Sequence, residues 1–241
     1  MLLGCVQPAM MPNINSATAR VLDAAGIQTL VADKAGCCGA IRTHLGDADG
    51  GLDDMRRNID AWWPWVANKQ VEMIVMNASG CGVAVKGYGH ALAHDPAYAA
   101  KAERISALTR DLSELLPELA PLLKNKLGPH RPRPLAYHPP CTLQHGQQLR
   151  GGVETHLRAM GFDIRVAASE SHLCCGSAGT YSVLQPELAY PLRDRKLEHL
   201  QALQPVAIVS ANVGCIQHLQ SGTGIPVRHW VEAVDEALLR R

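Results

Sequence analysis

Two short stretches, AGCCGAIRTHL (35–45) and HLCCGSAGTYS (172–182), share a Cys-Cys-Gly triplet. Outward from each triplet, one single cysteine precedes the pair and another follows it. The first single cysteine lies 32 residues before its pair in the first half and 33 in the second. The last cysteine follows the pair by 43 and 40 residues. This one-two-one pattern, repeated in register, predicts a duplicated module. The eight cysteines are Cys5, Cys37, Cys38 and Cys81, then Cys141, Cys174, Cys175 and Cys215.

Each half shows the same alternation of apolar strands and amphipathic helices. The predicted strands are 2–5, 27–32, 71–76, 135–141, 162–166 and 206–210. The predicted helices are 13–22, 52–63, a short one with Val85 and Tyr88, 97–123 (with a break at Pro117), 152–160, 186–203 and 231–239. Such alternation is typical of parallel sheets. We therefore expect an α/β protein of two tandem, homologous Rossmann-like modules related by a pseudo-twofold axis.

A Pro- and Gly-containing basic stretch over 124–134 is interpreted as the linker between the modules. The expected domains are accordingly 1–128 and 129–241. At each carboxyl edge of a parallel sheet, loops gather that commonly carry the site of an α/β protein. The single cysteines of both sets fall at predicted strand ends, so we expect them to meet there.

Composition excludes several classes of function. The chain has 241 residues, a formal net charge of +1 and 19% charged residues. This balance argues against a nucleic-acid partner, which calls for a broad basic field. No apolar run reaches the roughly 18 residues of a membrane span, and the N-terminus lacks the features of a signal peptide. A cytoplasmic location is expected. No glycine-rich nucleotide-binding motif is present.

Three interpretations of the cysteines compete. Single cysteines are often buried small hydrophobes, but that does not explain a repeated pattern at strand ends. Disulfides are disfavoured because adjacent cysteines pair only through a strained ring and because the sequence is typical of a cytosolic protein. Four thiolates per half suit either a zinc ion or an iron–sulfur cluster. Ligands from three distant loops, rather than short Cys-x-x-Cys knuckles, favour the cluster.

The cysteine pattern resembles the CCG cysteine-rich module, which occurs in tandem in heterodisulfide reductases and related electron-transfer proteins. The flanking sequence is also similar to the iron–sulfur subunit of glycolate oxidase over nearly all 241 residues. The strings that carry this resemblance include GCVQPAMMPNINSATARVLDAAGI (4–27), ASGCG (78–82), CTLQHGQQL (141–149), SANVGC (210–215) and PVRHWVEAVDEAL (226–238).

The resemblance implies a function and a set of partners. It implies an oxidoreductase subunit with up to one 4Fe-4S cluster per module, held by the four cysteines of each set. It implies FAD-containing partner subunits that oxidise glycolate to glyoxylate, and electrons passing towards a quinone or another acceptor. The catalytic site would lie on those partners. A ferredoxin-like domain or chain and a place at the inner face of the membrane, through the complex, are also expected.

This sequence departs from its relatives at informative positions. The family's ferredoxin-like domain with Cys-x-x-Cys-x-x-Cys runs is absent from these 241 residues. Heterodisulfide reductase modules carry a fifth cysteine where this chain has Ala84 and His218. That favours an ordinary 4Fe-4S cluster, or zinc in one module, over a noncubane double cluster. His218 is a candidate metal ligand, since imidazole commonly binds metals.

Other histidines and other functions remain open. His138 and His145 flank Cys141, and His172 precedes the second pair. We expect each to be an ordinary surface or hydrogen-bonded histidine, with a place beside the metal as the alternative. Two rival functions are an L-lactate utilisation iron–sulfur protein, whose two-module length is similar, and a zinc-stabilised scaffold subunit that carries no electrons.

Overall fold

The computed structural model describes residues 1–128 and 132–240. Residues 129–131 of the predicted linker therefore lie outside the described residues. The helices of the first half are α1 (Gln7–Met10), α2 (Pro12–Ala24), α3 (Ala40–His44), α4 (Ala48–Ala67), α5 (Ser79–Lys86), α6 (Tyr88–Ala91), α7 (Ala99–Leu108) and α8 (Leu116–Lys124). Its strands are β1 (Ile74–Met76) and β2 (Thr109–Asp111), and a 3-10 turn covers Leu112–Leu115.

The second half continues the alternation. Its strands are β3 (Leu135–Tyr137), β4 (Ile164–Arg165), β5 (Ala207–Ser210) and β6 (Val227–His229). Its helices are α9 (Gly152–Ala159), α10 (Tyr181–Leu184), α11 (Pro186–Gln201), α12 (Val213–Gln220) and α13 (Trp230–Leu239), and a π-helical turn covers Thr142–Gly146. Within the described ranges, none of the helices combines the length and the apolar character that crossing a bilayer requires.

The second half contains a sheet of four parallel strands in the order β4-β3-β5-β6. Tyr137 at the end of β3 lies opposite Val209 of β5. Ser210 at the end of β5 lies opposite His229 of β6. All carboxyl ends of these strands therefore meet at one edge of the sheet. The prediction of an α/β protein with parallel sheets is confirmed.

The sheet of the first half has two assigned strands, β1 and β2, which are also parallel. The strands predicted over 2–5 and 27–32 are wrong as strands, because neither segment forms a regular ladder. In the first of them Gly4 has a φ of +81°. This left-handed backbone turns the chain and ends the extended run after Leu3.

Single hydrogen bonds nevertheless hold the first segment beside β1 and the second segment beside the first. The Leu2 N–H donates to the Val75 carbonyl at 3.2 Å. The Met1 amino group donates to the Leu30 carbonyl at 2.7 Å. The order across the first half is therefore segment 27–32, segment 2–5, β1 and β2. This order matches β4, β3, β5 and β6 of the second sheet. The duplication predicted from the cysteines extends to the backbone topology.

The single helix predicted over 97–123 is wrong, because α7 and α8 are separated by β2 and the 3-10 turn. Asp111 explains the interruption: its side chain accepts a hydrogen bond from the Ser113 N–H at 2.9 Å. The Glu114 carboxylate in turn accepts from the Asp111 N–H at 2.7 Å, which completes a capping box. Pro117, the predicted break, stands in the first turn of α8, where its missing N–H is tolerated.

The packing crosses the boundary predicted at residue 128. Helix α2 packs against α13, and α8 packs against α9. Their buried side chains, among them Ile14, Leu119 and Trp230, form one hydrophobic cluster with the second sheet. A separate cluster surrounds α4 to α7. Arg20 and Asp235 add an ion pair across the same contact, with Nε 2.8 Å from Oδ1. The domain bounds remain a prediction, and the modules share a core.

Candidate metal centre

The cysteines stand where strands give way to loops or helices. Cys81 lies in the first turn of α5, after β1, and Cys215 lies at the same place in α12, after β5. Cys5 and Cys141 each follow the central extended segment of their half. Because the strands are parallel, these positions gather at the carboxyl edge of each sheet. The structure therefore brings together the residues that the spacing singled out.

Four sulfurs meet in the first half. Cys5 Sγ lies 3.4 Å from Cys37 Sγ. The Cys38 thiol contacts the sulfurs of both Cys37 and Cys81. Cys38 is buried, Cys37 and Cys81 are half-buried, and Cys5 is exposed. The first set is thus a compact group of thiols that opens to solvent on one side.

The second set repeats this arrangement at greater depth. Cys174 contacts Cys141 and Cys175, and Cys175 also contacts Cys215. Cys175 and Cys215 are only 1% and 3% exposed. A nitrogen donor joins them, because a ring nitrogen of His138 and the sulfurs of Cys175 and Cys215 all lie within 4.8 Å of one another.

Protons are distributed unevenly over each set. Hydrogen bonds from the thiols of Cys38 and Cys5 lower the pKa of Cys37 to about 2. The Cys38 thiol likewise lowers the pKa of Cys81. Donating these hydrogen bonds, together with burial, raises the pKa of Cys5 and of Cys38. In the second set, likewise, the pKa values of Cys141 and Cys175 are raised and those of Cys174 and Cys215 are lowered. Cysteines with a lowered pKa beside cysteines that donate to them form a group that a metal cation stabilises, with release of protons.

The glycine of each triplet is required by the backbone and by space. Gly39 and Gly176 both have a φ of +89°, in the region that favours glycine. A Cβ on Gly39 would stand 2.6 Å from the Gly51 carbonyl oxygen. A Cβ on Gly176 would stand even closer to the Ala189 carbonyl oxygen. The triplet is therefore a structural requirement of both cysteine loops.

Backbone amides also stabilise one sulfur in each set. The Gly39 N–H donates to Cys37 Sγ at 3.5 Å. The Gly176 N–H donates to Cys174 Sγ at 3.3 Å. Such hydrogen bonds favour the thiolate and tune the reduction potential of any cluster that the sulfur binds. The two sites thus share their local electrostatics as well as their sulfur pattern.

Two buried residues without a distinctive sequence signal fix the first triplet loop. Asn58 of α4 donates from Nδ2 to the Cys37 carbonyl at 2.7 Å. The Tyr88 hydroxyl of α6 donates to the Cys38 carbonyl at 2.9 Å and accepts from Asn58 at 3.1 Å. Sequence reasoning missed Asn58 and singled out Tyr88 only as part of a helix. Their role depends on how α4 and α6 pack against the loop.

Both cysteine sets open onto one shared cleft of about 480 Å³. Apolar side chains such as Leu2, Met55 and Met76 form part of its wall. The two sites therefore face one chamber between the modules. The cysteines that line it are Cys5, Cys38, Cys81, Cys141, Cys174 and Cys215.

Asn212 connects the two halves at this cleft. Its Oδ1 accepts a hydrogen bond from the Gly80 N–H in the first turn of α5 at 3.2 Å. Its Nδ2 lies 3.7 Å from Cys215 Sγ, to which it donates. One side chain thus joins the residue before Cys81 to the sulfur of Cys215. The Oγ atoms of Ser79 and Thr142, 2.7 Å apart, add a second polar contact across the modules.

His218 and His145 occupy different surroundings. His218 Nε2 lies 3.3 Å from the Ala189 carbonyl oxygen, and its ring stacks on Tyr190. Metal binding by His218 stays a prediction. His145 is exposed and its Nε2 lies 3.2 Å from the His172 carbonyl oxygen, as expected of an ordinary surface histidine.

His138 departs from expectation. It is 0% exposed, and within the described residues neither ring nitrogen has a hydrogen-bond partner of good geometry. His138 is therefore not a surface histidine, and its ring lies beside the sulfurs of Cys175 and Cys215. The Cys175 thiol, followed by His138 and Asn212, holds the pKa of Cys215 well below its usual range.

The residues present fit a metal ion or an iron–sulfur cluster. All eight cysteines lie in the described part of the chain and all are free thiols. Each set links four sulfurs by successive contacts from one cysteine to the next, and both zinc and cluster iron prefer tetrahedral sulfur. The open side of each set faces a cleft with room for an inorganic group. The donor chemistry, rather than any single distance, supports this fit.

Two α/β modules whose four-cysteine sets face one cleft define a tandem cysteine-rich protein built for metal binding. The chain belongs to the CCG cysteine-rich domain family, whose model matches residues 1–86 and 135–220. Each matched segment contains one complete one-two-one set. The predicted tandem duplication and the resemblance to the CCG module are both confirmed.

Similar proteins include two from glycolate oxidases. The chain is 50% identical over 238 residues to the glycolate oxidase iron-sulfur subunit of Escherichia coli (strain K12), which covers 99% of this chain and 57% of that protein. It is 27% identical to the probable glycolate oxidase iron-sulfur subunit of Bacillus subtilis (strain 168), over 91% of this chain and 48% of that protein. The chain thus spans about half the length of these two relatives.

A third relative has a different name and a similar length. Lactate utilization protein A of Geobacillus thermodenitrificans (strain NG80-2) is 25% identical over 240 residues. This match covers 96% of the chain and 95% of that protein. Both functions named in the sequence analysis are therefore represented among the similar proteins.

Proposed function

We propose that this chain is an iron–sulfur electron-transfer subunit that works with flavin-containing partners in the oxidation of glycolate to glyoxylate. The observation that carries the proposal is the meeting of eight free thiols in two matched sets at one cleft. The name of the Escherichia coli relative, 50% identical over 238 residues, supports the choice of glycolate.

In this proposal each module holds one 4Fe-4S cluster. Such a cluster supplies one-electron transfer at a fixed place without moving protons. The chain's own residues hold and tune it: the triplet glycine N–H groups stabilise negative sulfur, and the N-termini of α5 and α12 point partial positive charge at their cysteines. The first ligand set is Cys5, Cys37, Cys38 and Cys81. The second is Cys141, Cys174, Cys175 and Cys215.

The partners follow from the chemistry. Glycolate loses two electrons and two protons when it becomes glyoxylate, and a flavin on a partner subunit accepts them. The chain then receives the electrons one at a time and passes them on, through a ferredoxin-like domain or chain, towards a quinone or another acceptor. A cytoplasmic location, at the inner face of the membrane within the complex, is part of this proposal.

Metal and sulfide analysis of the anaerobically purified chain tests the proposal. We expect iron and acid-labile sulfide in about equal amounts, and a paramagnetic signal after reduction with dithionite. The matched control is Met76→Leu, which removes a thioether from the same cleft without removing a thiolate and should keep the iron. Zinc without iron or sulfide would instead support the non-redox scaffold and overturn electron transfer.

An L-lactate utilisation protein is the second candidate. The near-complete coverage of lactate utilization protein A, 95% of its length, favours it. Affinity purification of the tagged chain from its own cells distinguishes the two. Recovery of flavoproteins that oxidise glycolate supports the first proposal, whereas recovery of a lactate-oxidising partner supports the second.

A further inference from the structure

His138 occupies the same place in the second module as Leu2 in the first. The Leu2 N–H donates to the Val75 carbonyl of β1, and the His138 N–H donates to the Val209 carbonyl of β5 at 2.8 Å. Each residue stands three positions before the single cysteine that opens its set. One module therefore presents an aliphatic side chain where the other presents an imidazole.

The backbone at His138 is fixed, so the ring has little freedom to find another partner. Its N–H is bound to β5, and its carbonyl accepts a hydrogen bond from Ser210 Oγ at 2.9 Å. The ring is 0% exposed and both nitrogens lack a partner of good geometry among the described residues. Buried polar groups in native proteins are nearly always satisfied, so this exception requires an explanation.

The sulfurs beside the His138 ring explain why it is buried without a partner. The ring nitrogen and the sulfurs of Cys175 and Cys215 lie within 4.8 Å of one another. Nitrogen and sulfur ligands of one tetrahedral metal stand about 3.6–3.8 Å apart, given metal–ligand lengths of about 2.0–2.3 Å. Small side-chain adjustments therefore bring all three onto one metal. In the first module the methyl groups of Leu2 cannot do the same.

We propose that His138 is a metal ligand of the second module, together with Cys175 and Cys215, while the first module binds its metal through sulfur alone. This inference rests on the proposed metal-binding function of the cysteine sets. The imidazole is a neutral nitrogen donor that the first module lacks, so the two sites differ in their ligand sets. Imidazole suits cluster iron and zinc alike, and the test distinguishes the two.

The test measures nitrogen bound to metal in the full chain, purified anaerobically with ¹⁵N-labelled histidine. Pulsed EPR of the reduced protein detects a directly bound nitrogen on iron, and X-ray absorption detects it on zinc. The variants are His138→Leu, which installs the residue type of the first module, and His138→Gln as a polar second variant. His145→Leu is the matched control, because His145 is exposed and its Nε2 faces the His172 carbonyl oxygen.

We expect one histidine nitrogen per chain in the wild type and in H145L, and none in H138L or H138Q. Sulfur-only ligation in the wild type overturns the inference, even where H138L fails to fold. A nitrogen signal that survives in both His138 variants also overturns it. Iron and sulfide with sulfur-only ligation would leave the proposed function intact. Zinc with one histidine nitrogen would support His138 as a ligand and overturn the proposed electron transfer. A chain that binds neither iron nor zinc would overturn both proposals.

Discussion

The two modules have the same pattern of sulfurs but differ in the burial of those sulfurs and in the size of the sheet behind them. In the first, Cys81 is half-buried and the assigned sheet has two strands. In the second, Cys215 is 3% exposed and the sheet has four strands. Leu2 and His138 mark the same contrast beside the sulfurs. The local motif therefore sets the sulfur geometry, and the packing of each module sets its depth and its additional donors.

Removing one thiolate from each module gives the largest expected effect. We expect Cys38→Ser to abolish metal binding in the first module and Cys175→Ser to abolish it in the second. A serine hydroxyl is a far weaker ligand than a thiolate, and the sulfur–sulfur contacts of Cys38 and Cys175 lie within their own sets. Each variant should retain about half of the wild-type iron and sulfide, measured chemically and by EPR.

The double variant is the control for this experiment and should retain none. Loss of both signals in either single variant would show that the sites form one unit, which the shared core makes a real alternative. A larger loss of folded protein in Cys175→Ser than in Cys38→Ser would instead reflect the deeper second site. Circular dichroism of the metal-free variants separates these outcomes.

The triplet glycines give the next largest effect. Gly39→Ala and Gly176→Ala each combine a left-handed backbone with a Cβ that meets a carbonyl oxygen. We expect each to lower the free energy of unfolding by about 3 kcal/mol. Gly26→Ala is the matched control, because Gly26 has a φ of +82° but nothing within 4 Å of its Cβ position. It should cost about 1 kcal/mol.

Denaturant unfolding of the metal-free chains measures the difference. If Gly176→Ala cost no more than Gly26→Ala, the close contact with Ala189 would have no energetic weight. Unequal effects of Gly39→Ala and Gly176→Ala would show that the two triplet loops differ in rigidity, although they share a φ of +89°.

Sequence predicted the site better than the sheet. The cysteines and the triplet glycines carry their chemistry in their identity and spacing, so their meeting at strand ends was predictable. Strand β2 was missed because a strongly amphipathic pattern surrounds it. A second repeat marks it: Arg110, Asp111 and Glu114 correspond to Arg228, His229 and Glu232. Asp111 with Glu114 and His229 with Glu232 each form a capping box. That repeat also predicts β6.

Contacts between residues far apart in the sequence were not predictable in this way. Asn212 and Asn58 act through hydrogen bonds to residues 132 and 21 positions away. His138 lies three residues before a cysteine, yet only the register of β3 against β5 shows that its ring is buried beside sulfur. Such roles depend on packing, which a single sequence does not specify.

Asp111 and His229, the N-cap residues of the two corresponding capping boxes, respond to pH in opposite directions. Burial lowers the pKa of His229 to about 3, so the folded chain keeps it neutral while the unfolded chain protonates it below its ordinary 6.5. Stability from this group is therefore lost as the pH falls, by about 2 kcal/mol between about pH 7 and about pH 5. Burial raises the pKa of Asp111 above its ordinary value of 3.8. The stability that the protonated Asp111 contributes is therefore fully present below pH 3.8 and is lost as the pH rises.

His229→Asn tests this contrast, because asparagine keeps a capping acceptor but does not titrate. We expect the free energy of unfolding of the variant to change less between about pH 7 and about pH 5 than that of the wild type. Urea unfolding at several pH values measures both slopes. Identical slopes would mean that other groups cause the acid sensitivity of the wild type.

The smallest expected effect concerns the residue that joins the modules. Asn212 corresponds to Ala78 of the first module, since each is the N-cap of the helix that carries the last cysteine. Only Asn212 reaches across, and it caps the Gly80 N–H of α5. Asn212→Ala should lower the free energy of unfolding by about 1 kcal/mol and speed hydrogen exchange at Gly80.

The control is Gln201→Ala, which removes an exposed amide bonded to Thr223 and should change stability by less than about 0.5 kcal/mol. Equal effects of the two variants would show that this polar contact at the cleft does not help to hold the modules together.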